Sequence, residues 1–302
     1  MEENEINSYK KAGKIADEIK KELINFVKPN IKLLDIANFI ENKIYKQNAV
    51  PAFPTNLSIN EIAAHYTPIP NDTKEATELI KIDFGVCVNG FIADTSISFD
   101  LSESKKYEEM IELNKKILKN ITNILSLNSQ IKDIGEMATN TLEEYNKKNK
   151  TNYKLIHSLC GHGLGENLIH TGPTIPNYKN SSTKKLPNSG FAIEPFVTTG
   201  VGDIYEGIGG NIFCINSENI VRDRDARKLL DYIKINYKTR PFCERWLVNA
   251  GFTRTRYLLK LLEQNGTIYQ YPLLIEKGKE PVSQVENTFI CTENEVFCTT
   301  EL

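Results

Sequence analysis

The stretch that most limits how this chain can fold is LIKIDFGVCVNGFIADTSISF, Leu79 to Phe99. Two β-rich runs, Leu79–Val88 and Phe91–Phe99, meet at Asn89-Gly90, a dipeptide that favours a two-residue hairpin turn. A two-residue turn sets Val88 opposite Phe91 and Asp83 opposite Ser96. Asp94 is then a diagonal neighbour of Asp83 on the same face, roughly 7–8 Å away, and a small bulge would bring the two closer. Carboxylates inside apolar strands are costly unless paired, hydrogen-bonded or bound to metal. A divalent cation between the two would remove their repulsion. The plainer alternative, two strand-edge aspartates facing solvent, stays open on this pattern alone.

Other candidates share that chemistry. The chain has four histidines. His65, His162 and His170 lie in loop-like AAHYTP, GHGLG and LIHTG, where small residues let backbone approach a ligand and neutral imidazole can bind a transition metal. His157 lacks such a setting and reads as structural. Glu194 in GFAIEPFVTTG and Glu286 in PVSQVENTFI each interrupt an apolar run. Four carboxylates and one imidazole suit hard or borderline cations such as Mn, Co, Fe or Zn, not a cysteine-rich structural zinc site. There is no G-x-S-x-G elbow, no Walker A or G-x-G-x-x-G loop, and no H-E-x-x-H helix.

Bulk properties exclude several classes. With 302 residues, 40% hydrophobic and 25% charged, the chain can bury a large core. A net charge of −2 gives no global pull toward DNA or membrane. The charged start MEENEINSYKKAGK argues against a secretory signal, and no window approaches ~18 consecutive apolar residues. Six scattered cysteines without a C-x-x-C pair read as reduced thiols, mostly in the core, of a cytoplasmic protein. Cys160, two residues before His162, could pack behind the site.

Apolar spacing predicts helices over Asn7–Val27, Leu33–Tyr45, Glu103–Leu125 and Ile131–Lys148. Residues 46–78, rich in Asn, Pro and Thr, read mostly as loop. Short strands and glycine-rich loops follow to about Ile215. The order helix, helix, hairpin and then helix, helix, strands predicts two related αβ halves in one layered domain. A four-residue echo supports it: Leu34-Asp35-Ile36-Ala37 and Lys132-Asp133-Ile134-Gly135. Glu218 to Glu263 breaks this rhythm as a charged helical insertion. Arg222 to Glu263 holds eleven Lys or Arg against five Asp or Glu. Tyr269 to Leu302 returns to strand-like runs.

The strings AFPTNLSINEIAAHYTP, IDFGVCVNGFIADT, GHGLGENLIHTGPTIPN, IEPFVTTGVG and QVENTF resemble the type 2 methionine aminopeptidases, in the family's order and over nearly the whole chain. The absence of a long charged N-terminal extension is similar to archaeal members. The resemblance implies an α+β pita-bread fold over residues 1–302: two pseudo-symmetric ααβ halves with a winged-helix-like helical insertion at residues 218–268. It implies a ligand set for two divalent ions (Co, Mn, Fe or Zn): Asp94 and Glu286 bridging, Asp83 on one ion, His162 and Glu194 on the other. His65 and His170 match two non-ligand active-site histidines, and Glu194 doubles as proton shuttle. Phe53, Ile169 and Tyr271 match the wall of a methionine pocket. The implied activity is removal of the initiator methionine from nascent polypeptides by a metal-activated hydroxide, in a monomer.

Two other readings compete. A proline-type pita-bread aminopeptidase or dipeptidase would share the ligands with a different pocket. A non-catalytic pita-bread protein would use basic residues such as Arg222, Arg224, Arg227, Arg254 and Arg256 to bind ribosomes or RNA. An active enzyme docked at the ribosome through the same insertion lies between them, and a plain solvated helical face is the bland account of those charges.

Overall fold

A computed structural model of the chain describes residues 1–300. Helices α1 (Glu3–Phe26) and α2 (Leu33–Lys46) each carry an apolar stripe spaced four residues apart: Ile15, Ile19 and Leu23, then Ile36, Ile40 and Ile44. Such stripes must be covered. They are covered by Ile80, Ile82, Phe84 and Val86, which alternate along strand Leu79–Val88. Because side chains alternate across a strand, Lys81, Asp83 and Gly85 face away from these helices, toward the middle of the molecule. The turn to strand Phe91–Asp100 has positive φ at both Asn89 (52°) and Gly90 (92°), as a type I′ turn requires. The register is the one the turn predicts, Val88 opposite Phe91 and Asp83 opposite Ser96.

The second half repeats the plan. Ile117 and Ile121 of α3 (Glu108–Ile124) and Ile134 and Ala138 of α4 (Ile131–Asn149) pack on Phe191, Ile193 and Phe289. These last lie in strands Gly190–Ile193 and Asn287–Cys291, where Phe191 and Phe289 are register partners with rings 5.6 Å apart. Asp35 and Asp133 are each the third residue of their helix, α2 and α4. The four-residue echo therefore marks equivalent places in two ααβ halves, the pita-bread arrangement. The halves are joined at their centre by a bridge between Ser96 and Glu286, whose backbone groups exchange hydrogen bonds at 3.3 Å.

A third unit lies outside the pair. Helices α5 (Arg224–Tyr237), α6 (Glu244–Asn249) and α7 (Thr255–Gln264) share a core of Leu229, Ile233, Trp246, Leu247, Leu258 and Leu262. Asp223 caps α5 by accepting from the N–H groups of Asp225 and Ala226. The unit rests on a sheet of Ile204–Ile215 and Ile268–Glu276 with short strands Phe242–Cys243 and Ile62–Ala64 at its edges.

Four expectations change. Residues 46–78 contain short strands at Val50–Pro51, Asn56–Ile59 and Ile62–Ala64, of two to four residues, too short for a periodic signal. Helix α3 starts at Glu108, because Asp100 organises a turn by accepting from the backbone of Ser102 and Tyr107. The insertion carries strand Phe242–Cys243 among its helices. Cys87, Cys243 and Cys291 are buried, whereas Cys160, Cys214 and Cys298 are only partly so. Of the final strand-like run, Glu301 and Leu302 lie outside the described residues. No helix among the described residues is long and apolar enough to cross a membrane.

Candidate metal centre

Both aspartates of the hairpin point inward. Asp94 sits directly across from Gly85, and Asp83 lies one pair farther along the same face. Thr288 fixes the Asp94 backbone from the neighbouring strand: its Oγ1 accepts from the Asp94 N–H and donates to the Asp94 carbonyl, both at 2.7 Å. The seam at Ser96 brings in Glu286, whose carbonyl also accepts from the Thr95 hydroxyl at 2.8 Å. His162 arrives on strand Cys160–Gly165 of the second half, and Glu194 follows strand Gly190–Ile193. One ligand atom each from Asp94, His162 and Glu286 lies within 4.8 Å of the others. The Nε2 of His162 is 3.5 Å from Glu194 and 3.7 Å from Asp94.

The electrostatics are those of a site built around a cation. Burial pushes Asp83 up to about 7. Burial first, and the charge of Asp83 second, hold Asp94 well above the carboxylate range. Glu194 and Glu286 are raised by burial and then by Asp94. Asp83 Oδ1, Asp94 Oδ1 and Glu286 Oε1 are buried without a hydrogen-bond partner. Native structures seldom leave such atoms unsatisfied. Burial, and then the neighbouring His170, holds His162 down to about 3, which favours the neutral imidazole. Its Nδ1 donates to the Gly163 carbonyl at 3.4 Å. The bare Nε2 therefore faces two acidic side chains, a contact that either a shared proton or a cation can bridge. The residues fit a divalent metal.

A cavity of about 490 Å³ opens over these groups, with Phe53, His65, Ile169, His170 and Tyr271 in its wall. All ten residues singled out in the sequence border this one space. His65 holds a left-handed backbone (φ 72°) secured by its N–H donating to Asn56 Oδ1 at 2.9 Å. Its Nδ1 lies 3.0 Å from the Pro272 carbonyl, and its ring meets Tyr271 edge-on at 5.2 Å. Since a carbonyl only accepts, Nδ1 carries the proton and Nε2 is bare. Burial holds this imidazole down to about 4. His170 stands edge-on to His162 with ring centroids 4.3 Å apart. His157 stacks on Tyr178 outside the cavity wall.

Sequence reasoning missed several neighbours. Gln284 reaches Glu194 at 3.5 Å, and Thr288 brackets Asp94. Both flank Glu286 in QVENTF, so proximity in sequence was the available signal. Pro241, from the insertion, also lines the cavity, whereas Cys160, which the sequence placed beside the site, lines it as expected. Nothing local to Pro241 announces that role.

Comparison with known proteins agrees with this geometry. The model of metallopeptidase family M24 matches residues 7–222. A methionine aminopeptidase of Methanocaldococcus jannaschii is 38% identical over 303 residues, covering 98% of this chain and 100% of the relative. The chain belongs to metallopeptidase family M24 and, within it, to the type 2 methionine aminopeptidases. The methionine aminopeptidase of Thermococcus kodakarensis is also 38% identical, over 96% of this chain and 97% of its own. Among solved structures, the methionine aminopeptidase of Rickettsia prowazekii superposes with a TM-score of 0.68 at 20% identity, over 100% of this chain and 98% of that one. At that identity the likeness speaks for the pita-bread fold. As a family M24 metallopeptidase the chain uses divalent metal.

Proposed function

We propose that the chain removes the N-terminal methionine from nascent polypeptides, using two divalent ions (Co, Mn, Fe or Zn) held by Asp83, Asp94, His162, Glu194 and Glu286. The observation that carries this reading is the His162 Nε2 turned onto buried carboxylates with unpartnered oxygens, at the floor of a largely apolar cavity. When bound, the metal acidifies water and polarises the scissile carbonyl. The remaining work falls to side chains. His170, at the rim, donates a hydrogen bond to the substrate carbonyl oxygen. Glu194 accepts the proton of the attacking water and passes it to the leaving amine. His65, with Nδ1–H committed to Pro272, offers Nε2 as an acceptor to a substrate N–H and orients the peptide. Phe53, Ile169 and Tyr271 enclose the methionine side chain, whose unbranched thioether adapts to irregular apolar walls.

Hydrolysis of Met-Ala-Ser beside X-Pro peptides tests this reading. Release of methionine from the first supports it. Cleavage of X-Pro peptides alone would favour a proline-type pita-bread peptidase.

The insertion, taken as a subdomain at residues 218–268, supports a further contact. Arg222, Arg224, Arg227, Arg254 and Arg256 are exposed, and among the described residues Arg256 pairs with a carboxylate, that of Glu244. Arg240 and Arg245 are buried, so the outward positive charge is smaller than composition implies. We infer that this face docks the enzyme, a cytoplasmic monomer, against ribosomal RNA. Co-sedimentation with ribosomes that weakens as salt rises tests the contact; no co-sedimentation at low salt removes it.

A further inference from the structure

Behind the metal centre, outside the cavity wall, the last described residue is sealed into the interior. Thr300 is fully buried, and its Oγ1 accepts from the Thr288 N–H at 2.8 Å. Thr299 donates its backbone N–H to the Thr288 carbonyl at 2.8 Å and its hydroxyl to the same oxygen at 3.2 Å. Thr288 is the residue whose hydroxyl brackets both backbone groups of Asp94. With its amide nitrogen turned inward, where its donors meet acceptors, Asn287 donates to the carbonyls of Thr300 and Glu286, each at 2.8 Å. Thus Thr300 is two hydrogen bonds from the backbone of Asp94 and shares one amide with Glu286.

The segment is held from the other side by α1. Lys20 is 2% exposed, donates from Nζ to the Thr300 carbonyl, and pairs with Asp17 at 3.2 Å. At Gly13 a Cβ would lie 2.0 Å from the Thr299 carbonyl oxygen, so helix and segment touch backbone to backbone. A buried ammonium is costly, and simple closure of the fold would be served by an apolar side chain of similar length. The polar chain leads instead to Asp94 and Glu286, two acids of the cluster whose ligand atoms lie within 4.8 Å of each other.

We propose that Lys20 and Thr300 are positioning residues for the metal centre: through Thr288 and Asn287 they hold the backbones of Asp94 and Glu286 at metal-ready spacing against carboxylate repulsion. The proposal rests on the metal-centre reading above. Outer partners of ligands characteristically affect metal affinity as well as stability. Thr300→Val keeps shape but removes the acceptor for Thr288, Thr300→Ser restores it, and Lys20→Met keeps the stem without the ammonium.

The experiment titrates metal-free protein with Mn²⁺ by calorimetry, with thermal unfolding of each metal-free variant measured separately. The affinity of Thr300→Val and of Lys20→Met is expected to fall roughly 10–100-fold, and that of Thr300→Ser to stay near the unaltered chain. Unchanged Mn²⁺ affinity in Lys20→Met or Thr300→Val, even with a lowered unfolding temperature, would overturn the proposal. So would a Thr300→Ser variant as weak as Thr300→Val. Should Thr300→Val not fold, Lys20→Met and Thr300→Ser carry the test. An unaltered chain that takes up no Mn²⁺ would instead remove the metal-centre reading, and this proposal with it.

Discussion

The Nε2 of His162 faces the carboxylate of Glu194 at 3.5 Å while its Nδ1 proton is committed to the Gly163 carbonyl. Neither partner brings a proton to that contact when Glu194 is ionised. The same conflict recurs at Asp94, 3.7 Å from the same nitrogen. A cation satisfies all three groups at once. Asp94→Asn and Glu286→Gln should therefore bring hydrolysis of Met-Ala-Ser below detection and abolish stoichiometric metal uptake. The metal-free variants should unfold no earlier than the unaltered chain, because removing a charge from an unbalanced cluster costs the fold little.

The metal-free cluster should also leave its mark on the pH dependence of stability. Burial raises Asp83 to about 7, and burial with the neighbouring acids holds Asp94, Glu194 and Glu286 well above the ordinary carboxylate range. Unfolded carboxylates titrate near 4. Between those values the folded cluster's carboxylates bind more protons than they do unfolded. His65, His162 and His170, held down by burial, act in the opposite sense until the unfolded imidazoles lose their protons near 6.5. Above about 6.5 the metal-free chain's stability should therefore fall as pH rises to about 8, and bound metal should remove that loss. Thermal unfolding in chelator and in excess Mn²⁺ across this range checks the sign. A metal-free chain that gains stability with rising pH would contradict it.

The proposed methionine pocket depends on a glycine. At Gly85 a Cβ would lie 2.5 Å from the Phe53 ring and 2.7 Å from the Ala52 Cβ. Gly85→Ala should displace Phe53 and raise KM for Met-Ala-Ser several-fold, with Mn²⁺ affinity retained. Equal loss of metal binding would show that the displacement reaches Asp94, which stands opposite Gly85.

The insertion is fastened through buried charge. Glu41 of α2 accepts from both terminal nitrogens of Arg245 in α6, from Trp246 Nε1 at 2.8 Å and, at 3.4 Å, from the Thr55 N–H. Arg245→Ala strands a buried carboxylate and should cost about 3–5 kcal/mol, read by urea unfolding. Glu41→Gln with Arg245→Met should recover much of it.

Legibility in the sequence followed interaction range. Asn89-Gly90 and the alternation around it set the hairpin register locally, so the shared face of Asp83 and Asp94 could be worked out on paper. Glu286 meets Ser96 across 190 positions, and no spacing rule reaches that far; the family resemblance supplied it. The left-handed His65 depends on Asn56 and Pro272, partners made adjacent only by folding. The strands within 46–78 are too short and too rich in Asn and Pro to show a period. Arg240 and Arg245 count among the eleven cations of the insertion, and composition does not say which of these faces inward.

The buried carboxylates and His162 are proposed to make a metal-dependent aminopeptidase centre. Its most direct test titrates chelator-stripped protein with Mn²⁺ or Co²⁺ while following methionine release from Met-Ala-Ser. Activity should be absent at the start, rise with bound metal, and stay absent in Asp94→Asn. Full hydrolysis by the stripped protein, or by Asp94→Asn, would contradict the account.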